Sequence, residues 1–119
     1  MISRLSQIAL AFSLFIEPSF ASKIELMSYN VENLFDTSHD EGHADYEYLP
    51  KGHPAKNEGC SKIENDYFRS KCFKTDWNNN ILTQKMNAVT DVIYRDGRQT
   101  PDILGLVEIE NLVVARELK

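Results

Sequence analysis

Short apolar runs separated by polar stretches divide the chain into a few predicted elements. Residues 24–31 are apolar and rich in β-forming residues, which predicts a largely buried strand. Further along, four apolar residues recur at the spacing of one helical face: Leu82, Met86, Val89 and Ile93. This spacing predicts an amphipathic helix that begins near residue 76 or 78 and ends by residue 97.

A second apolar run, residues 102–108, predicts another buried strand, and residues 110–119 begin a further helix. A strand, a helix and a strand in this order favour a right-handed crossover between parallel strands. Parallel neighbours end at the same edge of a sheet. We therefore expect Asn30, near the end of the first strand, to lie close to Glu108, at the end of the second.

Residues 36–76 are polar, rich in Gly, Pro, Asn and charge, and show no sustained period, which predicts a long loop. Cys60 and Cys72 lie in its second half, and in an exported chain a disulfide is the expected pairing. Two histidines, His39 and His43, are four residues apart, but Asp follows the first and Gly interrupts the run. This departs from the zinc-protease pattern and favours an acidic, solvated loop.

The N-terminal segment, residues 1–21, has the pattern of an export signal. It carries Arg4, then a short apolar stretch, and small residues before a cleavage position after Ala21. A retained membrane anchor is the alternative, but Glu17 and Pro18 break an apolar run that is too short to span a bilayer. We therefore expect a secreted or periplasmic protein, residues 22–119, without a stable membrane span after cleavage.

Charge is unevenly distributed along this acidic chain of net charge −5. Residues 22–50 have a net charge of −6, whereas residues 51–74 have a net charge of +3. Such a balance excludes a general nucleic-acid coat, which needs broad phosphate neutralisation. The basic segment, which includes Tyr67 and Phe68, is interpreted as a charged surface loop or, alternatively, as a region that steers a nucleic-acid backbone.

The expected meeting of Asn30 and Glu108 allows two interpretations. A carboxylate at a strand end, next to an amide, is suited to a hard cation such as Mg²⁺, which takes oxygen ligands. The alternative is that Asn30 satisfies backbone groups and that Glu108 is merely solvated.

Two stretches carry a family resemblance at these positions: Ser-Tyr-Asn-Val-Glu-Asn-Leu-Phe-Asp (28–36) and Pro-Asp-Ile-Leu-Gly-Leu-Val-Glu-Ile-Glu-Asn (101–111). Together they resemble the opening of the endonuclease/exonuclease/phosphatase superfamily, in particular its bacterial secreted nuclease-like branch. The resemblance implies a four-layer α/β sandwich, of which this chain supplies a part. It also implies that Asn30 and Glu108 belong to the active site and that Glu108 binds Mg²⁺, or alternatively Mn²⁺ or Ca²⁺, with Asn30 as a further candidate in the metal site. Glu32 occupies the position where some members carry a second acidic ligand.

The resemblance implies later motifs as well: a histidine, an Asp-x-Asn pair and an Asp-His pair. None of them follows Glu108 here, so we expect an N-terminal fragment with little or no turnover of its own and with one sheet face uncovered. The implied activity is metal-dependent hydrolysis of phosphodiester bonds, with nucleic acid (DNA or RNA) as substrate. Two alternatives stay open: a phospholipid or phosphoinositide hydrolase of the same fold, and a non-catalytic exported binding module.

Overall fold

The computed structural model describes residues 22–95 and 100–118, and these residues form a mixed α/β structure. The predicted signal segment, residues 1–21, lies outside the described residues. In chain order the elements are β1 (Leu26–Leu34), a 3₁₀ turn (Tyr46–Tyr48), α1 (Pro54–Ser61), α2 (Asp66–Lys74), α3 (Asn79–Ile93), β2 (Ile103–Ile109) and α4 (Leu112–Glu117). Among these described helices, none has both the length and the apolar character that a membrane crossing requires.

β1 and β2 pair in parallel, with α3 between them in sequence, which confirms the predicted strand, helix and strand order. The register is unbroken from the start of both strands to the pair Asn30 and Val107. It then shifts, because the next pair joins Leu34 to Ile109. β1 therefore contains a bulge directly after Asn30, and the strand continues beyond the predicted end at residue 31.

α3 covers one face of this sheet with its predicted apolar stripe. The helix begins after Asn78, whose side-chain oxygen accepts hydrogen bonds from two backbone N–H groups of the first turn. Such N-caps satisfy donors that have no partner within the helix. In the described part of the chain, the main cluster of buried residues consists of Val31, Leu34, Trp77, Leu82, Val89, Ile93 and Val114.

The opposite face of the sheet is uncovered in the described structure. Leu26, Ile103 and Val107 lie on it and are 71%, 59% and 49% exposed. They alternate along the strands with side chains that pack towards α3, as expected for a pleated sheet. An uncovered apolar face was expected for a partial sandwich. The structure thus shows the α/β character of the prediction, whereas the complete four-layer arrangement stays a prediction.

The prediction of a long irregular loop for residues 36–76 is wrong, because α1, α2 and the 3₁₀ turn lie within it. Both helices are short, and each begins with a local cap. His53 and Asn65 are the N-caps, and each accepts a hydrogen bond from a backbone N–H of the first turn. Eight or nine residues of mostly polar character cannot display a sustained apolar period, so the composition concealed these helices.

A disulfide between Cys60 and Cys72 joins α1 to α2, with 5.6 Å between the two Cα atoms. This confirms the predicted pair. We call residues 46–75, which comprise the 3₁₀ turn, α1 and α2, the α1–α2 unit. Gly59 lies in its interior, where a Cβ atom would overlap the ring of Tyr46.

A buried lysine also stabilises the α1–α2 unit. Lys56 is only 1% exposed, and its ammonium group donates hydrogen bonds to the carbonyl oxygens of Tyr46, Glu47 and Leu49, at 2.8 to 3.1 Å. All three N–H donors of the side chain therefore have a partner, which is the condition for placing a lysine out of water. Burial lowers the pKa of Lys56, and the negative charges of Glu47 and Asp76 act in the opposite direction.

Candidate functional site

The carboxyl ends of β1 and β2 bring Asn30 and Glu108 into direct contact. Asn30 Nδ2 donates a hydrogen bond of 2.7 Å to Glu108 Oε1, although the two residues are 78 positions apart in sequence. The amide oxygen of Asn30 accepts a second hydrogen bond, also of 2.7 Å, from the backbone N–H of Glu32. The predicted meeting of these two residues at one edge of the sheet is therefore present. We call this edge, formed by Asn30, Glu32 and Glu108, the strand-end rim.

The backbone of the strand-end rim adopts a conformation that side-chain-bearing residues seldom take. Glu32, Asn33 and Glu108 have φ angles of 52°, 64° and 62°, in the left-handed region. This region costs L-residues about 1 kcal/mol or more each, and it persists where surrounding contacts fix it. Among the described residues other than glycine, these three are the ones with positive φ, and all three lie at the ends of the two strands. Residues in such conformations cluster at active sites, ligand clamps and switch regions.

A lysine from α3 reaches this strained segment. Lys85 Nζ donates a hydrogen bond to the backbone oxygen of Glu32 and lies 5.7 Å from the centroid of the Trp77 ring. Burial lowers the pKa of Lys85, while the negative charges of Glu32 and Glu108 oppose this shift. Lys85 therefore places a positive charge beside both carboxylates and ties α3 to the bulge of β1.

Lys85 is not among the apolar residues that predict α3, yet the structure places it on the same side of the helix as they are. Lys85 lies three residues after Leu82 and four before Val89, so it shares the stripe that faces the sheet. That spacing was the available signal. A lysine can occupy such a position because its apolar stem packs while its ammonium group reaches a polar partner.

Three aromatic rings form a wall beside the strand-end rim. Phe35 stacks on Tyr48, with 4.1 Å between ring centroids, and Tyr48 meets Trp77 edge to face at 5.6 Å. The indole N–H of Trp77 donates to the backbone oxygen of Phe35 at 3.0 Å, which fixes the ring. Burial and the charge of Glu47 raise the pKa of Tyr48, the charge of Lys71 opposes this shift, and the charge of Glu108 adds a smaller increase. Tyr48 is thus within electrostatic range of Glu108.

An acidic group of side chains follows the rim on the α4 side. Glu110 accepts a 2.8 Å hydrogen bond from the backbone N–H of Asp36. Asn111 is the N-cap of α4, and its side-chain oxygen accepts from the N–H of Val114. Burial raises the pKa of Glu110, with further contributions from nearby acidic residues including Asp40, although the Asp36 N–H opposes the shift.

His39 and Asp45 form a close pair in the same region, with 2.5 Å between His39 Nδ1 and Asp45 Oδ1. Asp45 is 3% exposed and also accepts from the backbone N–H of Asp40. The segment after His39 turns at Gly42, whose φ is 84°. The Asp45 carboxylate, just after the predicted acidic loop, is therefore part of the interior and organises the turn.

Acidic groups that could hold a cation are few at the rim. Within residues 22–95 and 100–118, no group of three or more His, Cys, Asp or Glu side chains is placed to bind a metal ion. A rim site would therefore rest on Glu108 with Glu32 as its neighbour. One or two carboxylates supplemented by water suit Mg²⁺, whereas a structural zinc site needs four protein ligands. The oxygen chemistry of the rim thus fits the hard cations that the resemblance implies.

The chain was also compared with protein-family models, with curated proteins and with solved structures, and none of them matches it. The physical arrangement of the strand-end rim, together with the two sequence motifs that form it, is therefore the basis on which a function is proposed.

Proposed function

We propose that the strand-end rim is part of a metal-dependent phosphodiester hydrolase whose substrate is nucleic acid, either DNA or RNA. The observation that supports this is the 2.7 Å hydrogen bond between Asn30 and Glu108. It joins the two motifs that resemble the endonuclease/exonuclease/phosphatase superfamily, at the carboxyl ends of parallel strands where sites of α/β proteins gather. In this proposal the chain is part of that superfamily's four-layer α/β sandwich.

Each rim residue has a distinct role in this proposal. Asn30 engages one oxygen of Glu108, and so the second oxygen is the one offered to Mg²⁺, Mn²⁺ or Ca²⁺. The Asn30 oxygen is directed at the Glu32 N–H, so Asn30 orients the carboxylate, and Glu32 is the second candidate ligand. A bound cation would supply polarisation of a phosphoryl oxygen and compensation of negative charge.

Lys85 supports the rim from the side of α3. Its bond to the Glu32 carbonyl holds the left-handed segment that follows Asn30. Its positive charge, beside two carboxylates, also favours the approach of a phosphate group. The lysine therefore acts through the position of the bulge and through charge, and it is assigned no contact with reacting atoms.

Cation binding to the purified protein is the first test. Titration with Mn²⁺, followed by electron paramagnetic resonance, should give a saturable site that Mg²⁺ displaces. Glu108→Gln should weaken Mn²⁺ binding at least tenfold, about 1.4 kcal/mol, because it removes the principal charge. Asn30→Ala should weaken it about tenfold through loss of orientation.

A matched control is Glu25→Gln, which also removes one carboxylate. Glu25 lies just before β1, at the end of the strands opposite to the rim. This variant should leave Mn²⁺ affinity unchanged. Wild-type affinity in Glu108→Gln would contradict the assignment of the rim as a cation site.

Hydrolysis distinguishes the substrate classes. The protein is assayed with Mg²⁺ on single-stranded DNA, duplex DNA, RNA and phosphoinositide vesicles, with and without a chelator. We expect little or no turnover of nucleic acid by this chain alone, because the resemblance implies a histidine and aspartates beyond those of the rim, and we expect none of lipid. Cleavage of lipid alone would replace nucleic acid by a lipid head group as the substrate.

We further propose that the protein is exported and cleaved after Ala21. The Cys60–Cys72 disulfide is compatible with an oxidising compartment. N-terminal sequencing of the protein from the periplasm or medium should begin at Ser22. Recovery of the uncleaved chain in the cytoplasm, with both thiols free, would contradict export.

A further inference from the structure

One face of α2 combines an exposed aromatic ring with two lysines. Tyr67, Lys71 and Lys74 are spaced by four and three residues, which places them on the same side of the helix. Together with Ser70 and Thr75 they line a shallow cavity of about 350 Å³. We call this surface the α2 face. It lies in the α1–α2 unit, separate in sequence from the residues that form the strand-end rim.

The aromatic part of the α2 face is held open to solvent. Tyr67 is 71% exposed and Phe68 is 53% exposed, and their rings meet edge to face with centroids 5.3 Å apart. The helix that carries them is fixed by the Asn65 cap and by the disulfide at Cys72. A ring presented on a fixed helix loses little conformational freedom when a planar group stacks on it.

Charge favours an anionic ligand for this surface. The α1–α2 unit contains six basic and four acidic residues, a net charge of +2, while the rest of the chain has a net charge of −7. The charge of Lys56 is buried against carbonyl oxygens, with no carboxylate among its hydrogen-bond partners, and so it adds to the positive field of the unit. Lys71 is paired with Glu47 at 2.8 Å but keeps half of its side chain exposed. A polyanion is therefore attracted to this unit and repelled by the remainder of the chain.

We propose that the α2 face binds single-stranded nucleic acid, with a base stacked on Tyr67 and the backbone phosphates near Lys71 and Lys74. An aromatic platform next to a basic groove is the combination by which proteins hold single strands without reading sequence. A duplex keeps its bases stacked inside and cannot use the ring in this way. The identity of the polymer rests on the proposed function, whereas the binding itself requires no metal and goes beyond the strand-end rim.

The test is fluorescence anisotropy of a fluorescein-labelled oligothymidine with the full protein, in EDTA so that no hydrolysis occurs. Tyr67→Ala should weaken binding roughly 5- to 150-fold, the effect of losing one stacked base, whereas Tyr67→Trp should retain affinity. Lys74→Gln should weaken binding and reduce the slope of log K against log salt by about 0.7, the value for one phosphate contact on a single strand. Tyr67 and Lys74 are exposed to solvent, so circular dichroism should show unchanged folding.

Lys23→Gln is the matched control, because it removes the same charge from an 82% exposed side chain before β1. It should leave both the affinity and the salt slope unchanged. Absence of oligothymidine binding by the wild-type protein would overturn the proposal. An equal loss in Lys23→Gln and Lys74→Gln would overturn it too, since binding would then follow net charge alone.

Two further measurements distinguish nucleic-acid binding by the α2 face from cation binding at the strand-end rim and from membrane binding. Glu108→Gln should bind oligothymidine with wild-type affinity in EDTA, so failure of the rim as a cation site leaves the α2 face intact. Vesicles of phosphatidylcholine with phosphatidylglycerol are tested in parallel. If Tyr67→Ala weakens binding to these vesicles and not to oligothymidine, the α2 face is a membrane contact and the nucleic-acid proposal is wrong.

Discussion

A second carboxylate placed against Glu108 should make the stability of the protein depend on pH. In Asn30→Asp, an oxygen replaces the amide nitrogen that lies 2.7 Å from Glu108 Oε1. The lost hydrogen bond is worth about 1 kcal/mol. Two charges about 4 Å apart repel by about 1 kcal/mol in water and about 4 kcal/mol at an effective dielectric constant of about 20. Because the Asn30–Glu108 contact is exposed, the lower part of this range applies, and we expect a total loss of roughly 2–3 kcal/mol near pH 7.

The direction of the pH effect follows from proton binding. In the folded variant, one of the two adjacent carboxyl groups holds its proton more tightly than it does in the unfolded chain. Lowering the pH from about 7 to about 4 adds this proton and removes the repulsion, so the variant should gain stability relative to the wild type. Mg²⁺ at pH 7 should restore part of the loss by the same electrostatic argument.

Urea unfolding provides the measurement, followed by the fluorescence of Trp77, the one tryptophan of the chain and a residue only 9% exposed. Asn30→Ala is the control, because it loses both hydrogen bonds of the Asn30 side chain, to Glu108 and from the Glu32 N–H, without gaining a charge. It should cost about 2 kcal/mol, and this cost should change with pH much less than that of Asn30→Asp. The contact between Asn30 and Glu108 would be refuted if the deficit of Asn30→Asp changed with pH no more than that of Asn30→Ala.

Three further predictions concern packing, the disulfide and the acidic group near α4. Gly59→Ala should destabilise the protein by about 1–3 kcal/mol in urea, because the new Cβ would overlap the Tyr46 ring. Gly52→Ala, with nothing within 4 Å of its Cβ, should change stability by less than about 0.5 kcal/mol, and equal effects would contradict this packing. Cys60→Ser should lower the free energy of unfolding by about 3 kcal/mol, because it removes a disulfide between residues 12 positions apart. Reductant should have no further effect on this variant. The same urea midpoint in the oxidised wild type and the variant would contradict this prediction. Glu110→Gln should raise the free energy of unfolding at neutral pH. Burial raises the pKa of Glu110, so the stability of the wild type falls as pH rises through that pKa. Parallel pH profiles of stability for the wild type and the variant would refute this.

The central part of the fold could be predicted because its signals are local and strong. The two apolar runs have strand length, and the stripe from Leu82 to Ile93 has helical spacing. Parallel pairing then follows from chain order, and it brings Asn30 to Glu108 without any information on side-chain contacts. The candidate site could therefore be located from the sequence, although its bulge and left-handed backbone could not.

The remaining features depend on contacts that exist only after folding. α1 and α2 are held by caps, by a disulfide and by Lys56, none of which leaves a periodic pattern in the sequence. The contact of Lys85 could not be predicted, because the Glu32 carbonyl that it binds becomes available only through the bulge in β1. Asp45 likewise lies in an acidic stretch whose composition indicates solvent exposure. Its carboxylate is buried nevertheless, because His39 and the Asp40 N–H are its hydrogen-bond partners.

The burial of Lys56 allows the rate of local opening in the α1–α2 unit to be measured chemically. Acylating reagents such as succinimidyl esters attack amines that reach water, and the amine of Lys56 is occupied by three carbonyl oxygens and is almost fully covered. Acylation of this one amine, followed by mass spectrometry of its peptide, should therefore proceed only as fast as the surrounding turn and helices separate. Neighbouring exposed amines such as that of Lys62 would be modified at once, which supplies an internal reference for the rate of that separation.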